Sequence, residues 1–557
     1  MSGSEQFMAA RRFLLDHRND YEKVKKEFRW PELSTFNWAR DWFDVYADGN
    51  SKTALWVRSE SSNDVKLTYQ ELAERSDRVA KFLQSLGVGM QDRLIVLLPN
   101  VPELWELMLA AIKIGAVIVP TATQATEADL TDRLARSGSK IIVTDEDGLS
   151  RIPVEFTGQK ILVGGTSADC ISYSNTLNET RRYAKIATGA TDPLFLYFTS
   201  GTTSKAKLVL HTHQSYPVGH LSSMYWIGIK ETDIHQNISS PGWAKHAYSC
   251  FFSPFNAGAT VFVHDYARFQ PTETIRLLNE IGVNTLCAPP TVWRLLIQED
   301  LGARPSALRE LVSAGEPLNP EVIEQVDAAW GIAIRDGYGQ TESTLMIGNT
   351  PGQSMKIGSM GRPMPGYEMR LIDGEGREVN EGEIAVRLSG RPVGLMSGYL
   401  DGEGQIKSIT TDAYYRTGDE ASRDDDGYYF FVGRGDDVFK CSDYRISPFE
   451  LESILLEHPA VAEAAIVASP HPVRTNVPKA FISLAEQITA NAETARDILM
   501  FAKEKLAPYQ RLRKLEFREL PKTISGKIRR VELRKMEEHR VETGERGETE
   551  FWLADFE

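Results

Sequence analysis

An α/β architecture with mostly parallel sheets, followed by a smaller α+β pattern, is predicted for this chain by three observations. Short β-branched runs alternate with amphipathic segments from about Leu67 onward, the rhythm of strand, helix, strand. The runs are continuously apolar rather than apolar at every second position, as strands buried on both faces are. After Tyr399 the texture changes: acidic, Gly-rich turns (DGEGQ, DDDG) lead into a shorter pattern that ends near Lys535.

In chain order, residues 69–86 carry a helical apolar pattern and RLIVLLP (93–99) reads as a strand. The most apolar stretch, 104–120, is interrupted by Glu106 and Lys113, so it reads as a buried helix followed by a strand rather than a membrane span. KIIVT (140–144), PLFLYF (193–198), ATVFVH (259–264) and VNTLCAP (283–289) are further strands. A turn cluster places a boundary near Asp436, which divides the chain into residues 1–435 and 436–557. The mostly acidic stretch 537–557 is expected to be a weakly ordered tail.

The chain has 557 residues, with 63 Lys+Arg against 77 Asp+Glu and a net charge of −14, which argues against a protein that coats nucleic acid or an anionic membrane. Residues 503–535 depart from this balance, with 12 basic against 4 acidic residues. Cys170, Cys250, Cys287 and Cys441 stand far apart, without C-x-x-C pairs or His clusters, so reduced thiols are expected rather than disulfides or a zinc site. The N-terminus lacks the apolar core of a signal peptide, and a cytoplasmic protein is expected.

Five segments carry chemistry. YFTSGTTSKAK (197–207) leaves a buried strand as a hydroxyl-rich loop, whose N–H groups and Thr199, Ser200, Thr202 and Thr203 hydroxyls, with Gly201 between them and Lys207 after them, suit a polyphosphate. It is not a Walker A loop. SAGEPL (313–318) and DGYGQTES (336–343) each follow a short apolar run; their glycines permit close approach to a flat ligand, Tyr338 offers a ring face, and Glu342 a hard oxygen suited to Mg²⁺. In 415–452, Asp419 and Arg434 have the acceptor and donor sets to grip vicinal ribose hydroxyls. In PKTISGKIRR (521–530), a glycine beside Lys527 makes a flexible tip able to carry one ammonium into a site. Each segment alone also reads as an ordinary turn or a solvated surface.

In this order and at these separations the five segments resemble the adenylate-forming superfamily, over roughly residues 36–535. GWAKHAYSCFFSPFNAGATVF (242–262), CAPPTVWRLL (287–296) and GYGQTE (337–342) look most like medium-chain acyl-CoA synthetases and their bacterial relatives. The resemblance implies a large N-terminal domain of stacked α/β subdomains and a small mobile α+β C-terminal domain that swings about Asp436. It implies that residues 199–207 wrap the β- and γ-phosphates of ATP, that Gly315, Glu316 and Pro317 line the adenine slot, and that Asp336, Gly337 and Tyr338 complete it. Thr341 would meet the α-phosphate, Glu342 the Mg²⁺, Asp419 and Arg434 the ribose, and Lys527 both the incoming carboxylate and the α-phosphate. The face around Asp443, Tyr444 and Arg445 would turn to the thiol channel. Trp243, Lys245, His246, Trp293, Gly339 and Ile347 are candidates for the acid pocket; core packing explains the tryptophans and Ile347 equally well.

The activity that the resemblance implies is that of an ATP-dependent acid:CoA ligase, with ATP, Mg²⁺ and CoA required and no protein nucleophile. The acid is expected to be medium-length, branched or aromatic, or to carry a second polar group if Lys245 or His246 admits one. Loading of a carrier-protein pantetheine, a reaction that stops at the adenylate, and a catalytically inactive nucleotide-binding regulator are the alternatives. Free CoA is favoured because no carrier domain follows. Small molecules are the expected partners, without nucleic acid or stable membrane insertion, in a monomer or homodimer. Two positions depart from the family pattern. Ser204 stands for the second glycine of the loop, with Ala206 for its proline, and a left-handed Ser204 would cost about 1 kcal/mol. Asp443 stands where glycine usually precedes Tyr-Arg, and so turns aside, pairs with a base such as Arg445, or hinders the thiol step.

Overall fold

The computed structural model describes residues 2–60, 63–199, 206–390, 392–401, 404–409, 412–442, 444–523 and 527–556. Two compact units divide them: Met1–Met369 with Arg387–Tyr415, and Arg370–Val386 with Arg416–Glu557.

The first unit holds two nine-stranded sheets. In one, strands Thr53–Ser59, Thr260–Asp265, Ile234–Asn237, Thr285–Ala288, Glu310–Ala314 and Ile334–Gly339 lie side by side and parallel, with antiparallel strands at both edges. In the other, Pro193–Thr199, Val117–Pro120, Arg93–Leu97, Ile141–Thr144 and Gln159–Leu162 are parallel, and Lys207–Thr212 returns antiparallel beside the first of them. The predicted strands are all present, and the parallel centre follows from their continuous apolar character. Helix Tyr69–Ser85 starts at a capping box in which Thr68 accepts from the Glu71 N–H at 3.1 Å and Glu71 accepts from the Thr68 N–H at 2.8 Å. Helix Pro102–Ile114 is buried almost all round, and its Lys113, with no side-chain exposure, is neutralised by Asp44 at 2.8 Å and Asp77 at 2.6 Å. That pairing is why a lysine can sit in the most apolar stretch of the chain. Among the described residues no helix is long and apolar enough to cross a membrane.

The second unit contains a four-stranded sheet of Val461–His471, Thr475–Leu484, Lys514–Phe517 and Glu550–Trp552, with helices Pro448–Leu456, Ala492–Lys505 and Arg530–Thr543. The expected weakly ordered tail is corrected here: residues 537–543 finish the last helix, and Glu550–Trp552 is an edge strand paired with Lys514–Phe517. The cause is charge. Lys479 has no exposed side chain, and Glu537, Glu550 and Glu516 surround its ammonium at 2.6, 2.8 and 2.9 Å. An unpaired buried ammonium would cost several kcal/mol, so the acidic segment is held in place by the cation it covers.

Candidate active site

In parallel α/β sheets, ligands bind beyond the carboxyl ends of the strands, and the motif segments lie there in both sheets of the first unit. Strand Glu310–Ala314 ends at Gly315, whose φ of +106° a residue with Cβ rarely adopts; Glu316 and Pro317 follow, and Arg294 stands 3.8 Å from the Glu316 carboxylate. The adjacent strand Ile334–Gly339 carries Asp336, Gly337, Tyr338 and Gly339 and runs out into Gln340, Thr341 and Glu342. The Asp336 carboxyl is buried, accepts the Gly337 N–H at 2.8 Å, and is pushed up to about 7 by desolvation, against the backbone hydrogen bonds and the charge of Lys245. Strand Pro193–Thr199 delivers Thr199 to the hydroxyl loop, and the return strand starts with Lys207. Residues 200–205, including Ser200, Gly201, Thr202, Thr203 and Ser204, lie outside the described residues, as does Asp443.

Side chains from the second sheet hold the turn at Thr341 and Glu342. His211, fully buried on strand Lys207–Thr212, places Nε2 2.7 Å from the Thr341 carbonyl and Nδ1 2.9 Å from Ser215 Oγ. A carbonyl only accepts, so Nε2 donates. Ser215 Oγ, which takes the Thr212 N–H at 2.9 Å, donates its own proton to Nδ1. The Tyr399 hydroxyl donates to a Glu342 carboxylate oxygen at 3.0 Å, and the Met396 N–H donates to the Glu342 carbonyl at 2.9 Å. The Lys207 ammonium lies 5.0 Å from the centre of the Tyr399 ring. Tyr399 thereby contacts both Lys207, a cation, and Glu342, a hard carboxylate.

The candidate acid-pocket residues separate. Trp243 and His246 line a cavity with Val96, Leu104, Met108 and Ile118. Gly242 beside them has φ +91°, and a Cβ there would meet the Thr121 and Ala122 backbone at under 2.6 Å. Lys245 turns elsewhere, donating to the Ala314 carbonyl at 3.0 Å, next to Gly315. Gly339 and Ile347 belong to the paired strands beyond Tyr338, and Trp293 is wholly buried in the core around Leu286 and Leu311. The Tyr216 hydroxyl donates to the Ala244 carbonyl at 3.2 Å, and its ring packs against His211 with centroids 4.7 Å apart.

In the second unit, Asp419 is buried and Arg434 stands 3.1 Å from it across paired strands. Asp436 lies 3.9 Å from the same guanidinium. Arg445 is paired with Glu420, and with Glu381 at 3.7 Å. The Tyr444 ring is exposed and stacks on Tyr509, with centroids 4.3 Å apart. The Lys527 N–H donates to Thr523 Oγ1 at 3.1 Å, its carbonyl accepts the Thr523 N–H at 2.8 Å, and its side chain is exposed.

His211, Tyr216 and Tyr399 were not found from sequence. Tyr399 is 57 positions from Glu342 and His211 is 130 from Thr341, and no local spacing encodes either contact.

The Thr341–Glu342 turn is thus held by His211 and Tyr399 from the second sheet, and the comparisons with known proteins define the class. The chain belongs to the AMP-binding enzyme family, whose model matches residues 44–400, and the model of the AMP-binding enzyme C-terminal domain matches residues 450–527. Within that family its relatives are acyl-CoA synthetases. It is 44% identical to 4-hydroxybutyrate–CoA ligase 1 of Metallosphaera sedula, over 93% of this chain and 94% of that protein. It is 38% identical to the mitochondrial acyl-coenzyme A synthetase ACSM3 of Rattus norvegicus, over 93% of each chain. Among solved structures, the anthranilate CoA ligase AuaEII in complex with anthranoyl-AMP superposes with a TM-score of 0.81 at 26% identity, over 92% of this chain and 99% of that one.

Proposed function

We propose that this enzyme is an ATP-dependent acid:CoA ligase that works in two half-reactions. A carboxylate oxygen attacks the α-phosphorus of ATP, the bond to the bridging oxygen breaks, and pyrophosphate leaves; the CoA thiol then attacks the acyl-adenylate carbonyl, its proton is lost, and AMP leaves. The observation that carries this reading is the contact of Tyr399 and His211 with the Thr341–Glu342 turn. It presents a carboxylate and a hydroxyl at the end of the same strand that carries the adenine-slot residues.

Two anions must meet in the first step, so the chain's work is charge neutralisation and positioning. Thr199 and Lys207, with the loop between them, are assigned the β- and γ-phosphates; Gly315, Glu316, Pro317, Asp336, Gly337 and Tyr338 are assigned the adenine, and Thr341 the α-phosphate. Glu342 fits Mg²⁺. It is a hard carboxylate with Tyr399 on one oxygen, and Mg²⁺ at such sites takes one or two carboxylates plus substrate phosphates rather than an all-protein cage. When bound, the ion supplies charge neutralisation on the phosphates. Among the described residues no cluster of three acidic, His or Cys ligands offers a different home for it. Roles in the second unit are assigned residue by residue: Asp419 and Arg434 to the ribose hydroxyls, Lys527 to the carboxylate and α-phosphate, Asp436 to the hinge, Tyr444 and Arg445 to the thiol step. Trp243 and His246 are assigned to the acid. Lys245, bound to the Ala314 carbonyl, braces the adenine-slot turn. Four free cysteines, three of them buried, favour a reducing compartment such as the cytoplasm.

ATP–pyrophosphate exchange across a panel of acids, followed by thioester formation with CoA, tests the reading. At least one acid is expected to support both; exchange with none would leave a nucleotide-binding protein. Lys527→Ala is expected to abolish exchange while sparing thioester formation from supplied acyl-adenylate, and equal damage to both would refute its role.

A further inference from the structure

Helix Glu127–Ser137 stands against both ends of the hydroxyl-rich segment without supplying any residue of that motif. At the upstream end, the guanidinium carbons of Arg133 and Arg136 lie 4.8 and 5.4 Å from the centre of the Phe198 ring, and Phe198 immediately precedes Thr199. At the downstream end, Arg136 Nη2 donates to the Ala206 carbonyl at 2.7 Å, immediately before Lys207. Arg136 Nη1 donates to Asp132, one turn back on the same helix, at 3.0 Å. One rigid fork thus ties the helix to the residue from which the return strand departs. The Phe198 ring is buried in a core shared with Leu130 and Leu134 of the helix and Leu208 of the return strand, so the helix that carries Arg136 is itself fixed to both strands.

The Ala206 carbonyl and the Lys207 N–H belong to one planar peptide group, so a bond to that oxygen sets the plane from which the Lys207 side chain leaves the backbone. Alanine does not lock its φ as a proline would, which leaves the orientation of this peptide to its outside partners. Lys207 lies opposite Thr199 in the paired strands, and its ammonium is 5.0 Å from the centre of the Tyr399 ring. We propose that Arg136 is a positioning residue for ATP, which holds Lys207 towards the β- and γ-phosphates by fixing the Ala206–Lys207 peptide. The proposal rests on the assignment of Thr199 and Lys207 to those phosphates in the ligase reading. Arg136 touches no reacting atom in this role. AMP carries neither phosphate, so loss of Arg136 weakens ATP and spares AMP.

Calorimetric titration of the full chain with ATP and with AMP, each with Mg²⁺ and without acid, tests this. Arg136→Met removes the donors and keeps an unbranched apolar stem; it is expected to weaken ATP binding by about tenfold, the loss of one hydrogen bond from a charged donor, with AMP affinity unchanged. Arg133→Gln is the control for charge. It removes an equal charge beside the same ring without touching Ala206, and should leave the ratio of ATP to AMP affinity close to that of wild type. Should a thermal melt show Arg136→Met unfolded, Arg136→Gln decides by the same ratio, because its amide ends where the arginine Nε stands and stops short of Ala206. An unchanged ATP affinity, an equal loss for ATP and AMP, or an equal change in the Arg133 variant would overturn the proposal. Wild-type exchange with no acid, with the ATP-specific loss intact, would remove the ligase reading and leave Arg136 in its role. Exchange with at least one acid but no ATP-specific loss would do the reverse, and failure of wild type to bind ATP would remove both.

Discussion

The Tyr399 hydroxyl donates to the Glu342 carboxylate at 3.0 Å, and the ring of the same tyrosine lies beneath the Lys207 ammonium at 5.0 Å. One side chain thus orients the proposed Mg²⁺ ligand and stacks with the lysine that follows the hydroxyl-rich segment. A hydrogen bond to a charged group contributes about 1.5–3 kcal/mol. Tyr399→Phe keeps the ring and removes only the donor. We expect exchange to slow by about tenfold or more and the Mg²⁺ concentration for half-maximal rate to rise, with an unchanged melting temperature. A magnesium titration of exchange checks this; an unchanged Mg²⁺ requirement would separate Tyr399 from the ion.

His211 offers a finer dissection, because glutamine and asparagine imitate its two nitrogens separately. Gln places an amide near Nε2, which bonds the Thr341 carbonyl, and Asn places one near Nδ1, which bonds Ser215. His211→Asn should lower kcat for exchange by about tenfold, and His211→Gln should recover most of that loss, with similar thermal stability for the two. Equal loss in both would mean that the ring serves packing rather than the Thr341 turn.

Asp336 carries a pH signature. Burial raises its pKa from 3.8 to about 7, so between those values the folded protein holds a proton that the unfolded chain releases. Its contribution is fully present below about pH 4 and is lost as pH rises through about 7. Asp336→Asn removes the titration. Urea unfolding at pH 5 and pH 8 should therefore show the variant gaining on wild type at the higher pH; parallel profiles would show that the carboxyl ionises freely.

The buried cation of the second unit governs its stability. Lys479→Met leaves Glu516, Glu537 and Glu550 buried around no ammonium, and should cost about 3–5 kcal/mol. Glu550→Ala removes one of three partners and should cost about 1–3 kcal/mol while exposing the last strand to proteolysis. Denaturation followed by limited proteolysis measures both; resistance of the last strand in the Glu550 variant would show that backbone pairing alone anchors it.

The sequence by itself determined the layers and the chemistry. Continuous apolar runs such as residues 193–198 made parallel strands, because burial on both faces is written in every residue of the run. The order of the motifs led to the AMP-binding family, because each motif is contiguous and its chemistry is local. Tertiary structure decided what depended on meetings between distant segments. It placed His211 on Thr341 and Tyr399 on Glu342, turned Lys245 away from the cavity that His246 lines, and ordered the acidic C-terminal segment around Lys479. A hydrogen bond or ion pair forms over about 3 Å in space and leaves no periodic trace when its partners are tens of residues apart in the chain.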